Sequence, residues 1–384
     1  MALRVERRML LNVPWVLVGA TVLTALVGIY NLVSASRPPN NPLWGAQSLY
    51  LAVGLIAVLG VAAFDYRFIH RMALPIYLVN IAALVSLKFF GHTAKGAESW
   101  IVLGPLRVQP AEFMKIGMVL MYARYFHDDF RPGKEGHYGF LRLAVPMAIG
   151  VVPILLVLVQ PDLGTALMMV FTAATMILFA RVRWTVLLAI GICAVAGFGV
   201  MWNDYVRPQT EPKFTIVRHY LKKHQDGRIA GWLDPQADLK GTNYHAMQSK
   251  IAVGSGGMTG KGWKDGTQTG LRYLPEQHTD FIFSVWAEEQ GFLRCMLLLL
   301  LYGVILVGSL GVAYSARDRF GAFVAVGVAA MIFWQVFENI GMVTGLLPIT
   351  GITLPLMSYG GSSMVSVMIG IGLLVNIGMR RYIF

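Results

Sequence analysis

The chain has 384 residues, 56% of them hydrophobic and only 14% charged, with a formal net charge of +12. Soluble domains carry about 25% charged residues, so that class is excluded. The basic excess suggests nucleic acid, but it is scattered between apolar stretches, and no nucleic-acid partner is expected.

Ten stretches have the roughly 17–25 apolar residues a helix needs to cross the hydrocarbon core. They fall at 14–34, 46–64, 72–90, 111–127, 141–159, 163–180, 185–202, 293–314, 321–342 and 363–379. The expected fold is therefore an all-α polytopic membrane protein, a single domain over 1–384. It has about ten transmembrane helices, with one long extracytoplasmic loop, 203–279, between the seventh and eighth spans. The first span follows a short basic head without a small-residue cleavage site and is expected to stay as an anchor. With the connections numbered alternately from an inside start, fifteen Lys and Arg fall inside and four outside (Arg37, Lys88, Lys95 and Arg107). That bias puts both termini in the cytoplasm. Cys193 and Cys295 lie within spans and read as small packing residues.

In chain order, the first polar stretch is Trp100 to Lys115, which includes Arg107 and Gln109. Pro110 suits a first helical turn, and Glu112 near a helix N-terminus is favoured by the macrodipole. Glu112 and Lys115, three apart, share a helix face. They form either an ion pair that orients the fourth span or a polar wall of a substrate cavity. Gln160 to Ala166 reads as a tight outer turn with Asp162 as N-cap; this carboxylate could equally hold a divalent cation or a substrate hydroxyl.

The loop over 203–279 is too long for a plain connection and is not low-complexity. It carries aromatics and helix-like segments near 213–224 and 243–253, and it is mildly basic, which suits an anionic partner or a cover over the bundle. Its glycine-rich part, Gln248 to Trp263 with Lys261, does not fit a nucleotide-binding P-loop, since no Ser or Thr follows the lysine. At the loop's end, Leu274-Pro-Glu-Gln-His278-Thr-Asp280 runs into the apolar Phe281 to Trp286. An ionisable group held at a lipid border is expensive and usually functional, so Asp280, beside His278, is the leading catalytic candidate. From Asp280 to Tyr314 a helix would run about 50 Å, too long for one crossing. A non-spanning piece over 280–290 with a break near Gly291 is expected. Finally, Leu347 to Ser363, with Ser358, Gly360 and Ser362, puts glycines and hydroxyls at a helix N-terminus, where backbone N–H groups can meet an anion or simply allow close packing.

Together WIVLGPLRVQPAEFMK at 100–115, QPDLGTA at 160–166, QSKIAVGSGGMTGKGW at 248–263, LPEQHTDFIF at 274–283 and ITGITLPLMSYGGSS at 349–363 resemble the SEDS family (shape, elongation, division and sporulation), in particular its elongation branch. Ala111 departs mildly from a position often occupied by Ser. The resemblance covers essentially the whole chain. It implies a peptidoglycan glycosyltransferase of the bacterial cytoplasmic membrane that polymerises lipid II on the outer face, releasing undecaprenyl pyrophosphate, for cell elongation. It places Asp280 on the family's essential loop aspartate and Trp100 on a tryptophan implicated in activity. It also implies a class B penicillin-binding protein and the elongation machinery as partners.

An inverting displacement at the donor sugar would use Asp280 either as general base or as ligand to Mg²⁺ or Mn²⁺. The supporting residues would be Trp100, Arg107, Gln109, Glu112, Lys115, Asp162, Lys261, His278, Ser358, Gly360 and Ser362. A flippase for a lipid-linked precursor is the alternative, though the halves show no inverted repeat; a non-catalytic scaffold is the third class.

Overall fold

The computed structural model describes residues 11–36, 43–90, 92–94, 97–103, 106–130, 138–205, 232, 242–271, 273–274 and 276–381. The chain is a bundle of long helices: α1 (Trp15–Ala35), α2 (Leu43–Ala63), α3 (Tyr66–Phe90), α4 (Pro110–Asp128), α5 (Ala144–Val159), α6 (Leu163–Phe179), α7 (Trp184–Tyr205), α8 (Thr242–Ser255), α9 (Ile282–Tyr314), α10 (Arg319–Thr344) and α11 (Gly361–Met379). Among the described residues, seven segments are long and apolar enough to cross a membrane unaided: α1, α2, α3, Leu141–Val159, α9, α10 and α11. α4 is not, because Glu112, Lys115, Arg124 and Asp128 break its apolar run; it is carried in the interior by its neighbours.

Burial separates centre from rim. In α10 and α11, 78% and 89% of the apolar window is buried, against 28% in α2 and 22% in α3. Lipid is as apolar as leucine, so the helices must associate through close packing rather than a hydrophobic drive. α2 and α11 show how. Gly54 faces the Met368 side chain and Gly372 faces the Val58 backbone, and a Cβ at either would fall within about 3 Å of its neighbour.

The connection before α4 adds a small antiparallel sheet to an otherwise helical fold, with strands β1 (His92–Ala94), β2 (Ala97–Leu103) and β3 (Leu106–Val108) in that order. In the long loop, α8 matches the helix-like segment at 243–253, while 213–224 lies outside the described residues.

α9 breaks where its length demands. Gly291 has φ 74° and ψ −178°, which interrupts the helix and frees peptide groups on both sides. Residues 257–262 satisfy them. Lys261 N–H donates to Glu288 O (3.1 Å) and Gly262 N–H to Glu289 O (3.1 Å). On the far side of the break, Phe292 N–H donates to Gly257 O (2.9 Å) and Leu293 N–H to Met258 O (3.2 Å). Non-helical backbone is tolerated at membrane depth only when protein supplies such partners. The contact is so close that a Cβ on Gly291 would lie 2.2 Å from Gly260 N. Gly291→Ala is therefore expected to cost well over about 1 kcal/mol, from positive φ and steric overlap together. Gly303→Ala, on the same helix with nothing within 4 Å, should be tolerated. Thermal unfolding of the two variants side by side in detergent checks this.

Candidate active site

Four of the five polar stretches converge at one end of the bundle. The segment before α9 forms a tight turn, with Thr279 N–H and Phe281 N–H both donating to Glu276 O. α1 holds this turn from below: Gln277 Nε2 donates to Ala35 O (2.9 Å), and Asn31 Nδ2 donates to Ile282 O (3.0 Å).

The connection before α11 holds it from the side. Ser358 Oγ donates to Thr279 O (2.6 Å) while accepting Leu354 N–H (2.8 Å), and Tyr359 N–H donates to His278 O (2.9 Å). Gln47 of α2 then bridges that connection, donating to Ser358 O and accepting Gly360 N–H. Asn339 of α10 donates to both Asp280 O (2.8 Å) and Ile352 O (2.7 Å). The Asp280 main chain is thus clamped between two helices and a turn. Its carboxylate, half-buried, lies against Gly351, whose Cβ position is 3.4 Å from Oδ2.

The opposite wall is built on α4, whose first residue is Pro110. Gln109 N–H donates to Ser362 Oγ (3.0 Å) and Gln109 Nε2 to Asp162 Oδ2 (3.2 Å). Asp162 caps α6 by accepting Thr165 N–H (3.0 Å). Burial pushes its carboxyl above the ordinary carboxylate range, against the pull of that Thr165 bond. One turn into α4, Lys115 Nζ pairs with Glu112 at 2.8 Å, both fully buried, and Ser366 Oγ donates to Glu112 Oε2 (3.0 Å). Gly164 lets α6 approach the Thr350 carbonyl, which closes the ring of elements around the site.

The remaining named residues sort by place. His278 lies 6.2 Å from the Tyr359 ring. Arg107, exposed on β3, accepts Ser362 Oγ–H at its carbonyl (3.4 Å). Trp100 is half-buried on β2, paired with His92. Lys261 is elsewhere. Its ammonium sits 2.7 Å from Glu288 Oε1 and donates to Thr267 Oγ1, while Gln268 N–H and Thr269 N–H reach the same fully buried carboxylate. Its cation therefore belongs to the stitch across Gly291 and not to the Asp280 wall.

Sequence reasoning missed Glu338, Asn339 and Gln47. Glu338, fully buried on α10 beside Asn339, has no hydrogen-bond partner for either oxygen among the described residues; Lys115 is the cation in electrostatic reach. A lone carboxylate in a predicted span was itself the signal.

A membrane bundle with a clamped aspartate where four polar stretches meet matches a known set of proteins. Residues 7–383 fit the FtsW/RodA/SpoVE family, described as cell cycle proteins. The chain belongs to that family. It is 38% identical over 332 residues to the peptidoglycan glycosyltransferase MrdB of Escherichia coli K12, covering 86% of this chain and 84% of that one. It is 36% identical to the stage V sporulation protein E of Bacillus subtilis over 86% of this chain and 85% of that protein. Among solved structures, a chain of a peptidoglycan synthase complex, concerned with coordinating polymerisation and crosslinking, superposes with a TM-score of 0.78 at 31% identity. It covers 96% of this chain and 98% of that one. Rod shape determining protein RodA of Thermus thermophilus superposes with a TM-score of 0.68 at 28% identity, over 96% and 97%. In this family member, then, the clamped aspartate stands in a fold shared over nearly its whole length with cell-wall synthases.

Proposed function

We propose that this FtsW/RodA/SpoVE member is a peptidoglycan glycosyltransferase that polymerises lipid II, with Asp280 as the group that activates the acceptor. The observation that carries the assignment is the Asp280 clamp: a half-buried carboxylate at the mouth of the bundle, its main chain fixed by Asn339. In the reaction, the acceptor sugar hydroxyl gives its proton to Asp280 while its oxygen bonds to the donor's anomeric carbon. The bond from that carbon to the diphosphate breaks with its electron pair on the diphosphate, which leaves as undecaprenyl pyrophosphate. A single displacement on an α-linked donor yields the β-1,4 strand. The buried Glu112–Lys115 pair and Asp162 fix the facing wall, and fixed dipoles stabilise developing charge without reorganising.

A single carboxylate suits Mg²⁺ or Mn²⁺ only as an ion shared with substrate phosphates, which is how Mg²⁺ is commonly held. Asp280 would be its protein ligand, and the ion would supply charge neutralisation at the diphosphate. A class B penicillin-binding protein is the expected crosslinking partner, supported by likeness to a chain of a synthase complex. The site faces outward in the bacterial cytoplasmic membrane: Arg67, Arg71, Arg317 and Arg319 lie at helix ends away from Asp280, and basic residues favour the cytoplasmic side.

Two measurements test the reading. Purified protein given lipid II is expected to form glycan strands; transbilayer movement of lipid II without strands would replace polymerase by flippase. Cysteines placed at exposed loop positions such as Thr259 or Thr267 should react with an impermeant thiol reagent outside intact cells. Labelling only after lysis would invert the topology.

A further inference from the structure

At the end of the bundle away from Asp280 lies a second polar site. A cavity of about 420 Å³ opens where α3 begins, α4 ends and α10 begins, and Arg67, Arg71 and Arg317 line it with His70, His127 and Asp318. Along α10, the nineteen residues between Phe320 and Asn339 put it about 28 Å from the Asp280 clamp. It is therefore a separate site.

Its acids are already engaged. Asp318 accepts the Tyr66 hydroxyl at Oδ2 (2.5 Å) and Gly321 N–H at Oδ1 (2.9 Å). Asp128, at the rim, meets His70 Nε2 (2.9 Å) and Arg124 Nε (3.4 Å). The guanidiniums of Arg67 and Arg71, in contrast, have no ion-pair partner among the described residues. His70, His127 and Asp128 do bring ligand atoms within 4.8 Å of one another, the spacing of a metal site. Two facts oppose a cation there. His127 Nδ1 already accepts Phe320 N–H (3.2 Å), which leaves the proton on Nε2, and the cavity wall carries three guanidiniums.

We infer that this cavity binds a phosphate-bearing anion, seated by Arg67 and Arg71. The planar guanidinium fork matches phosphate oxygens two at a time. The volume suits a headgroup or small molecule rather than a peptide segment. The surroundings favour a lipid: on the same side of the bundle Phe64 and Phe68 stack 5.8 Å apart and are about half exposed, an apolar shelf for acyl chains beside the arginines. Basic pockets between helices on the cytoplasmic side hold anionic headgroups by this combination. The side assignment rests on the topology proposed above; the anion chemistry does not.

The test uses unmodified protein. It is placed in nanodiscs of phosphatidylcholine, of phosphatidylcholine mixed with phosphatidylglycerol, and of phosphatidylcholine with millimolar inorganic phosphate. Each is treated with phenylglyoxal, and modification of Arg67 and Arg71 is read by peptide mass spectrometry. Arg183, outside the cavity, serves as reference for the general effect of membrane charge. Phosphatidylglycerol is expected to slow modification of Arg67 and Arg71 roughly fivefold each relative to Arg183, which corresponds to about 1 kcal/mol per arginine. Protection by phosphatidylglycerol alone identifies a lipid headgroup, and protection by inorganic phosphate as well identifies a site open to soluble phosphate compounds. Equal reference-scaled rates in all three preparations overturn the inference. If lipid II polymerisation fails but this protection is seen, the proposed function falls and the anion site stands.

Discussion

Purified Asp280→Asn protein is expected to make essentially no glycan strands from lipid II, a fall of about 10²–10⁴ in rate for the loss of a general base. The same protein should unfold within about 0.5 kcal/mol of the parent. These expectations separate because the turn around Asp280 is held by main-chain groups: Asn339 grips the Asp280 carbonyl, Ser358 the Thr279 carbonyl, and Tyr359 N–H the His278 carbonyl. Asparagine keeps the shape of the side chain but neither takes a proton nor binds a cation well. Asp280→Glu should retain a trace of activity. Insertion into the membrane and binding of the proposed penicillin-binding partner should both persist. Near-normal polymerisation by the asparagine variant would remove Asp280 from the chemistry.

Glu112→Gln and Lys115→Met should each destabilise the fold by about 3–5 kcal/mol, since each strands one charge in the interior. The double variant should lose less than either single change. The pair sits at 2.8 Å with relative side-chain exposures of 6% and 1%, so water cannot replace a lost partner. Glu338 sharpens the asymmetry. It is a second buried carboxyl group within electrostatic reach of Lys115, so removing Glu112 still leaves Lys115 a group that can ionise beside it, whereas removing the lysine takes from Glu112 the cation it pairs with. Lys115→Met should be the worse single variant. A thermodynamic cycle measured by denaturation in detergent micelles decides it. Strictly additive effects would mean that the two residues are not coupled.

Local features were legible in the sequence because their causes are local. Helix-length apolar runs marked the spans, the distance from Asp280 to Tyr314 demanded the break that Gly291 supplies, and three-residue spacing put Glu112 beside Lys115. Asp162 caps α6 as its position before Leu163 suggested. What escaped were partners brought by tertiary contact. Lys261 and Glu288 are 27 apart in sequence, and nothing local shows that Glu288 is enclosed by Thr267, Gln268 and Thr269. Gln47 and Asn339 lie in apolar spans where one amide hardly disturbs the pattern, yet Gln47 grips the connection before α11 at two points and Asn339 ties two segments from other parts of the chain. The strands before α4 escaped because strands this short carry little alternation to read.

The stitch across Gly291 also sets an order of assembly. A helix delivered sideways into lipid must arrive with its own peptide groups satisfied, and the segment around Gly291 cannot do so alone. Its partners lie about thirty residues upstream, in the stretch running through Gly260, so both pieces must emerge before either can settle. The half-helix from Ile282 to Gln290 therefore settles only once residues 257–262 have emerged, and it is the piece that follows Asp280 directly. Until that moment the other apolar helices can lie in the bilayer while the turn around Asp280 still lacks the half-helix that follows it.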